Sequence, residues 1–281
     1  MQGKNSMMIV AEIGINHNGD MDIVKKLIDV AARAGCDAVK FQKRTVEVIY
    51  TKEDLDRFRN SPWGNTNRDQ KFGLELSEID YKEIDMYVED KGMIWFASPW
   101  DIESVDFLNQ FNNEYIKVAS ASLTDLGLLH AIKKTGKKII LSTGMSTKYE
   151  IEIAIDTLGE NLEYILACTS TYPTKPEEMN LNFIQTLEAQ FPSLKIGFSN
   201  HSPSTVFCTA AAVLGVEMIE FHLTLDRSMY GSDQASSIEP KGAELICRNA
   251  KIIKEAMGDG TWTVFESEEN IKQKLRKVAG N

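Results

Sequence analysis

Two histidines, two lysines and a set of serines carry the chemistry this sequence could perform. His201 and His222 end consecutive short apolar runs, and neutral imidazoles brought together this way form a candidate metal pair. Two ligands are too few for a closed structural zinc site. They suit an open catalytic site in which water and substrate oxygens complete the shell. The alternative is a pair of histidines held only by hydrogen bonds. Lys40 and Lys117 lie within strand-like runs. A charge inside a sheet is costly unless it is paired or bound, so these lysines call for a shared anion, or for a carboxylate such as Glu12 or Glu220. Ser98, Ser120, Ser142, Ser170 and Ser199 could give hydroxyl donors to a phosphate or carboxylate. Asp233, in the loop DRSMYGSDQASSIEP after His222, is a candidate contact to substrate or metal-bound water. His17 reads as a loop or substrate-contact residue and His130 as an ordinary helix residue.

The elements that must position these groups alternate along the chain. Strand-like runs cover 8–15, 38–42, 93–97, 115–119, 138–142, 164–169, 195–199 and 218–224. Most are near-continuously apolar, the pattern of a parallel sheet buried on both faces. Amphipathic segments lie between them. DIVKKLIDVAARAG ends at Gly35, a C-cap signal. SEIDYKEIDMYVEDKG opens on Ser77, an N-cap residue, and ends at Gly92. Segments 101–110, 124–135, 147–158, 180–190, 204–214 and 242–257 complete eight βα units, which predict a single (β/α)8 TIM barrel over residues 1–257. A doubly wound open sheet has the same periodicity. Residues 44–76 read as a long polar loop over the site, and 258–281 as a C-terminal tail with one helix packed on the barrel. In such a barrel the site lies at the C-terminal strand ends, where Glu12, Lys40, Gln42, Ser98, Lys117, Tyr172, His201 and His222 fall. The period of two along a strand puts Lys40 with Gln42 on one face, and likewise Ser199 with His201 and Glu220 with His222.

Composition removes several other functions. The formal charge of −10 leaves no global basic footprint for nucleic acid, so an anionic substrate needs a local cluster of lysines and backbone N–H groups. No run approaches the ~18 apolar residues of a membrane span, and the N-terminus lacks a signal-peptide pattern. A cytoplasmic protein is expected. The four cysteines show no CxxC spacing, which predicts reduced thiols rather than a disulfide framework.

The runs AEIGINHNG, AVKFQ, IKVAS, STGMST, CTSTYPT, GFSNHS and FHLTLDR…GSD…SIEP resemble, in order, the motifs of bacterial sialic acid synthases. That family joins phosphoenolpyruvate to N-acetylmannosamine or a related aldose in a metal-dependent condensation. The resemblance implies that Lys40, Ser98, Lys117, Ser120, Ser142, Ser170 and Ser199 bind phosphoenolpyruvate. It implies that His201 and His222 hold the metal, usually manganese, and that Glu12 transfers a proton. Gln42, Tyr172 and Asp233 would contact the acceptor sugar. A homodimer is compatible with the acidic charge and apolar outer helices.

Three departures from the family pattern stand out. Asn200 replaces the usual Asp before the first metal histidine, and Asp233-Gln234 replaces the common Asp-His. The chain also stops where family members begin a C-terminal antifreeze-like domain, which lends an arginine to a partner's sugar pocket. Acceptor recognition is then expected to differ, or to be supplied by a separate chain. Two rival readings follow. One is another phosphoenolpyruvate–aldose synthase of the octulosonate type. Such enzymes typically add a Cys to the metal set, whereas here the strand-one end AEIGINHNG lacks that Cys, and Cys168 lies before the sixth strand run ends. A phosphorylated acceptor would also want additional arginines, and the strand ends offer few. The other is a non-catalytic sugar-binding homologue.

Overall fold

Periodicity becomes structure almost run for run in the computed structural model, which describes residues 7–277. The strands are β1 (Met8–Gly14), β2 (Ala38–Lys43), β3 (Phe58–Ser61), β4 (Gly64–Thr66), β5 (Ile94–Pro99), β6 (Tyr115–Val118), β7 (Lys138–Ser142), β8 (Leu162–Cys168), β9 (Lys195–Asn200) and β10 (Met218–His222). The helices are α1 (Met21–Ala34), α2 (Val46–Ile49), α3 (Lys52–Asp56), α4 (Asn67–Leu74), α5 (Glu78–Asp90), α6 (Ile102–Leu108), α7 (Leu126–Lys134), α8 (Lys148–Leu158), α9 (Phe183–Gln190), α10 (Val206–Val213), α11 (Pro240–Ala256) and α12 (Glu266–Leu275). Gly35 ends α1 in the left-handed region at φ 89°, as its position predicts. Ser77 starts α5 in a reciprocal capping box with Asp80.

Eight strands form one parallel sheet in the order β5-β2-β1-β10-β9-β8-β7-β6. Its two end strands, β5 and β6, lie side by side, so the sheet curls into a nearly closed barrel rather than an open doubly wound sheet. Strand alternation sorts the side chains. Ile9, Ala11, Ile13, Val39 and Phe41 face the helices and join the large core between sheet and helix layer. Val10, Ala38, Phe96, Tyr115, Ile140, Tyr164, Leu166 and Met218 point inward and fill the lower barrel interior. Gly197 belongs to that filling. A Cβ there would lie 2.3 Å from Leu166 Cδ2 and 3.0 Å from Met218 Cβ, so the close approach leaves no room for a side chain.

Two expectations need correction. Residues 44–76 are not a loop. They fold into α2, α3, the β3–β4 hairpin and α4. Thr51 caps α3, and Thr66 with Asp69 forms a capping box on α4. Trp63 lies over Gly73 of α4 and edge-on to Tyr230, ring centroids 5.8 Å apart. Long-range contacts thus support elements too short to stand alone. The tail does form its helix, α12, but no residue of it is buried. ESEENIKQKL holds only Ile271 and Leu275 as large apolar residues, both exposed, so it has little to pack on the barrel. Residues 1–6 of the expected barrel and 278–281 of the tail lie outside the described residues. The cysteines are free thiols, and the Sγ atoms of Cys36 and Cys247 stand 3.6 Å apart in the core.

Candidate active site

Two residues beyond the apolar filling, the same inward faces turn polar. Val10 is followed by Glu12, Ala38 by Lys40, Phe96 by Ser98, Tyr115 by Lys117, Ile140 by Ser142 and Met218 by Glu220. These residues line a cavity of about 250 Å³ at the C-terminal strand ends, together with Gln42, Trp100, Ser120, Met145, Cys168, Ser170, Tyr172, Ser199, His201 and His222. Twelve of the thirteen site residues expected from sequence are therefore in one cavity. The thirteenth, Asp233, stands behind it, with Oδ2 3.7 Å from His222 Nδ1. His17 does not line the cavity. Its Nδ1 accepts from the Gly19 N–H and stabilises the turn after β1. His130 is an exposed helix residue.

The cavity floor is a box of two lysines and two carboxylates. Lys40 Nζ is 2.9 Å from Glu12 Oε2 and 3.7 Å from Glu220 Oε1, and Lys117 Nζ is 3.5 Å from that same Glu220 oxygen. All four are nearly inaccessible to solvent. Burial pushes Glu12 up, above the ordinary carboxylate range, against the pull of Lys40 and with the help of Glu220. Burial acts the same way on Glu220, but Lys117 and Lys40 together outweigh it and hold it at about 2. Lys40 is raised: its two carboxylates overcome the desolvation that opposes its charge. Lys117 is lowered, chiefly by burial, with Lys40 adding repulsion. Two carboxyls with separated proton affinities suit different tasks. Glu12 is placed to keep or move a proton, while Glu220 stays ionised and anchors the lysines.

Hydroxyls ring this floor. Lys117 Nζ donates to Ser142 Oγ at 2.7 Å, Lys40 Nζ to Ser98 Oγ at 3.5 Å, and Ser199 Oγ to Glu220 Oε1 at 3.0 Å. The Gly144 N–H donates to Ser120 Oγ at 3.0 Å. A Cβ on Gly144 would fall 2.1 Å from Ser170 Oγ, so glycine lets the strand-end backbone close on both serines. Gln42 Nε2 donates to Glu12 Oε1 at 2.7 Å, fixing the carboxyl from its other side.

The histidine rings sit at the rim, centroids 5.2 Å apart. His201 is oriented by its backbone neighbours. Its Nδ1 lies 2.7 Å from the Thr169 carbonyl, so the Nε2 lone pair accepts from the Tyr172 hydroxyl at 2.9 Å. His222 is kept neutral by burial, which drops it to about 3 despite Asp233. Its Nδ1 is buried without a hydrogen-bond partner. His222 thus keeps a nitrogen open to a cation, and His201 Nε2 would serve as its partner ligand once the Tyr172 hydroxyl moved off it. Among the described residues no cluster of three or more His, Cys, Asp or Glu forms a fuller set, so substrate or water oxygens would have to complete any shell.

Sequence reasoning passed over several residues here. Cys168 was placed before the strand end, yet it is the last residue of β8 and faces the cavity, with Sγ 3.7 Å from His201 Nδ1 and 3.6 Å from Ser120 Oγ. Burial raises this thiol, but His201, Ser120 and Lys117 together outweigh it and bring it to about 7. The period of two that places Ser170 would have found it. Trp100 and Met145 also line the cavity, and their apolar character gave no signal. The two departures from the family pattern lie outside the cavity. Asn200 closes a local turn, donating to the Ser202 carbonyl at 2.7 Å and accepting from the Ser202 N–H at 3.2 Å. Gln234 is buried, pairs with the Thr224 hydroxyl and donates to the Asn16 carbonyl at 3.3 Å, pinning the loop after β10 to the one after β1.

Comparison with known proteins gives a consistent answer. Residues 27–262 match the family model described as the NeuB family. The chain is 34% identical to the human (Homo sapiens) N-acetylneuraminate-9-phosphate synthase over 98% of its own length and 78% of the relative's. It is 37% identical to the N,N'-diacetyllegionaminic acid synthase of Campylobacter jejuni, over 96% of this chain and 83% of that one. The crystal structure of the N-acetylneuraminic acid synthetase of Leptospira borgpetersenii superposes with a TM-score of 0.84 at 29% identity, covering 98% of this chain and 94% of that one.

Proposed function

Because this chain belongs to the NeuB family and is an enzyme of its transferase-type synthases, we propose that it condenses phosphoenolpyruvate with an N-acetylmannosamine-like aldose. The products would be a 2-keto-3-deoxy sugar acid of the sialic acid type and inorganic phosphate. One observation carries this reading. Two buried lysines, a carboxyl whose pKa burial raises and five serines meet in one strand-end cavity that two imidazoles also line. That is a cradle for a small, multiply charged donor beside a site for a carbonyl.

In the condensation, carbon 3 of phosphoenolpyruvate bonds to the aldehyde carbon, whose oxygen takes a proton. Water adds at carbon 2 and loses its proton. The carbon–oxygen bond to phosphate then breaks while the carbon 2 hydroxyl gives its remaining proton to the departing phosphate, leaving the 2-keto group. Lys40 and Lys117 hold the donor's negative charge, and Ser98, Ser120, Ser142, Ser170 and Ser199 fix its orientation, so much of the rate comes from placement and electrostatics. Glu12, raised by burial and held between Gln42 and Lys40, transfers a proton to the acceptor oxygen or from the attacking water. Gln42 and Tyr172 face the acceptor, and Asp233 acts from behind His222. A divalent cation held by His201 and His222, manganese in the expected case, would supply Lewis-acid polarisation of the aldehyde. No helix among the described residues is long and apolar enough to cross a membrane, and the proposed setting is the cytoplasm.

The direct test is phosphate release from phosphoenolpyruvate with manganese and a panel of aldoses including N-acetylmannosamine, mannose and arabinose 5-phosphate. Release that needs both the metal and one aldose is expected. Absence of release with every aldose, in protein that binds metal, contradicts the synthase reading.

A further inference from the structure

Gln42 brings a side-chain amide to the cavity, and an amide can face its neighbours in two ways. Its accepting oxygen and its donating nitrogen sit at matching corners of one flat group, so shape alone does not choose between them. The choice matters beside Glu12. With the nitrogen toward the carboxyl, Gln42 Nε2 donates to Glu12 Oε1, as it does here at 2.7 Å. With the amide turned over, two oxygens would meet at the same place, and only a proton held between them would relieve the repulsion. Gln42 would then retain the proton that the condensation has to move.

Arg44, the residue that follows β2, decides the orientation. A guanidinium has donors and no acceptor, and its Nη2 donates to Gln42 Oε1. That contact commits the amide oxygen to Arg44 and leaves the nitrogen for Glu12. The guanidinium is itself held in place. It lies over the Trp100 ring, 4.2 Å from the centroid, a stacking that suits its flat, charged face. The Arg44 backbone N–H donates to Glu75 Oε2 at 3.2 Å, and Nη1 stands 3.9 Å from Glu75 Oε1. Glu75 is anchored in turn by Lys43 at 3.0 Å. The Arg44 side chain is only 11% exposed, so water competes weakly for the contact with Gln42. Arg44 does not line the cavity. Gln42 and Trp100 do, and it reaches the chemistry only through them.

We propose that Arg44 is a positioning residue, whose guanidinium, stacked on Trp100, fixes the Gln42 amide so that it donates to Glu12 and leaves the proton of Glu12 free to move. The relay runs from Trp100 through Arg44 and Gln42 to Glu12, and each link has one geometry that satisfies it. The proton step rests on the synthase reading. The orientation of the amide does not, and separate readouts test the two.

Phosphate-release kinetics on the full chain, with phosphoenolpyruvate, manganese and the aldose that turns over, would compare wild type, Arg44→Met, Gln42→Ala and the double variant. Methionine keeps a long apolar stem against Trp100 but has no donor. Arg44→Met is expected to lower kcat about tenfold or more, with KM for phosphoenolpyruvate unchanged because the Lys40–Lys117 floor is untouched. In the Gln42→Ala background the same substitution should cost less than about twofold, since its effect passes through Gln42. An unchanged kcat, a loss confined to KM for phosphoenolpyruvate, or a full further loss in the double variant overturns the proposal. If no aldose turns over, the synthase reading fails, and nuclear magnetic resonance decides the positioning. The side-chain amide pair of Gln42, identified by its disappearance in Gln42→Ala, should be sheltered from solvent exchange in wild type and should move to the position of a free glutamine amide in Arg44→Met. An amide pair that Arg44→Met leaves in place overturns it.

Discussion

The lower and upper halves of the barrel interior use the same inward faces of the same eight strands, yet they do opposite work. Below, Val10, Ala38, Phe96, Tyr115, Ile140, Leu166 and Met218 pack into a dry filling around Gly197. One inward position higher, Glu12, Lys40, Ser98, Lys117, Ser142, Cys168, Ser199 and Glu220 line an open cavity. The strand backbone is continuous across the boundary. The layers differ only in what each inward position carries. The filling excludes water and fixes strand spacing, and those fixed strands hold four buried ionisable groups close enough to shift one another. Stability should therefore reside mainly below and chemistry mainly above, and substitutions can separate the two.

The largest separation is expected from Glu12→Gln. It keeps the shape and the contact with Gln42 but removes the transferable proton, so phosphate release should fall by about 10²–10⁴-fold while the thermal midpoint moves little. A rate near wild type in the folded variant would remove Glu12 from the chemistry. The reverse is expected from Leu166→Ala, which empties part of the fully buried filling. Urea unfolding should show a loss of about 2–5 kcal/mol, with a comparable kcat in the protein that remains folded. Gly197→Ala tests the filling from the other direction. With Leu166 Cδ2 only 2.3 Å from the new Cβ, overpacking should cost about 1–3 kcal/mol, and an unchanged unfolding curve would show that the filling is loose. The smallest effect is expected from Asn200→Asp. This restores the residue of the family pattern but loses the amide donor to Ser202, at a cost of about 1 kcal/mol and with turnover intact, because residue 200 lies outside the cavity. A large gain in turnover would show that Asn200 limits the chemistry.

Much of this division can be read from sequence, because period-two alternation is strict. Once Lys40 and Gln42 share a face, so must Ala38, and the same reasoning links Glu220 with Met218 and Ser199 with Gly197. The eight βα units were equally legible, since long amphipathic helices and apolar strands carry their own periodicity. Residues 44–76 were not. Their helices span one or two turns and their hairpin is short, so the segment depends on contacts such as Trp63 with Tyr230 across more than a hundred residues. No local pattern reports such a contact. Cys168 is legible as well, since the alternation that places Ser170 on the cavity face places Cys168 there too. The tail shows the opposite failure. A helix was legible there, but helical spacing says nothing about packing, and the large apolar residues of the described tail, Trp262, Val264, Phe265, Ile271 and Leu275, all stay exposed.

The central claim is that the upper layer, and not lysine charge in general, binds phosphoenolpyruvate. Calorimetric titration of phosphoenolpyruvate into wild type, Lys117→Met and Lys138→Ala tests it most directly. Lys138 serves as the control, because it stands at the start of β7 at the opposite barrel end, paired with Glu114. Binding by wild type and Lys138→Ala, with at least about tenfold weaker binding by Lys117→Met, is the result expected. No binding to wild type, or equal weakening by both substitutions, would contradict it.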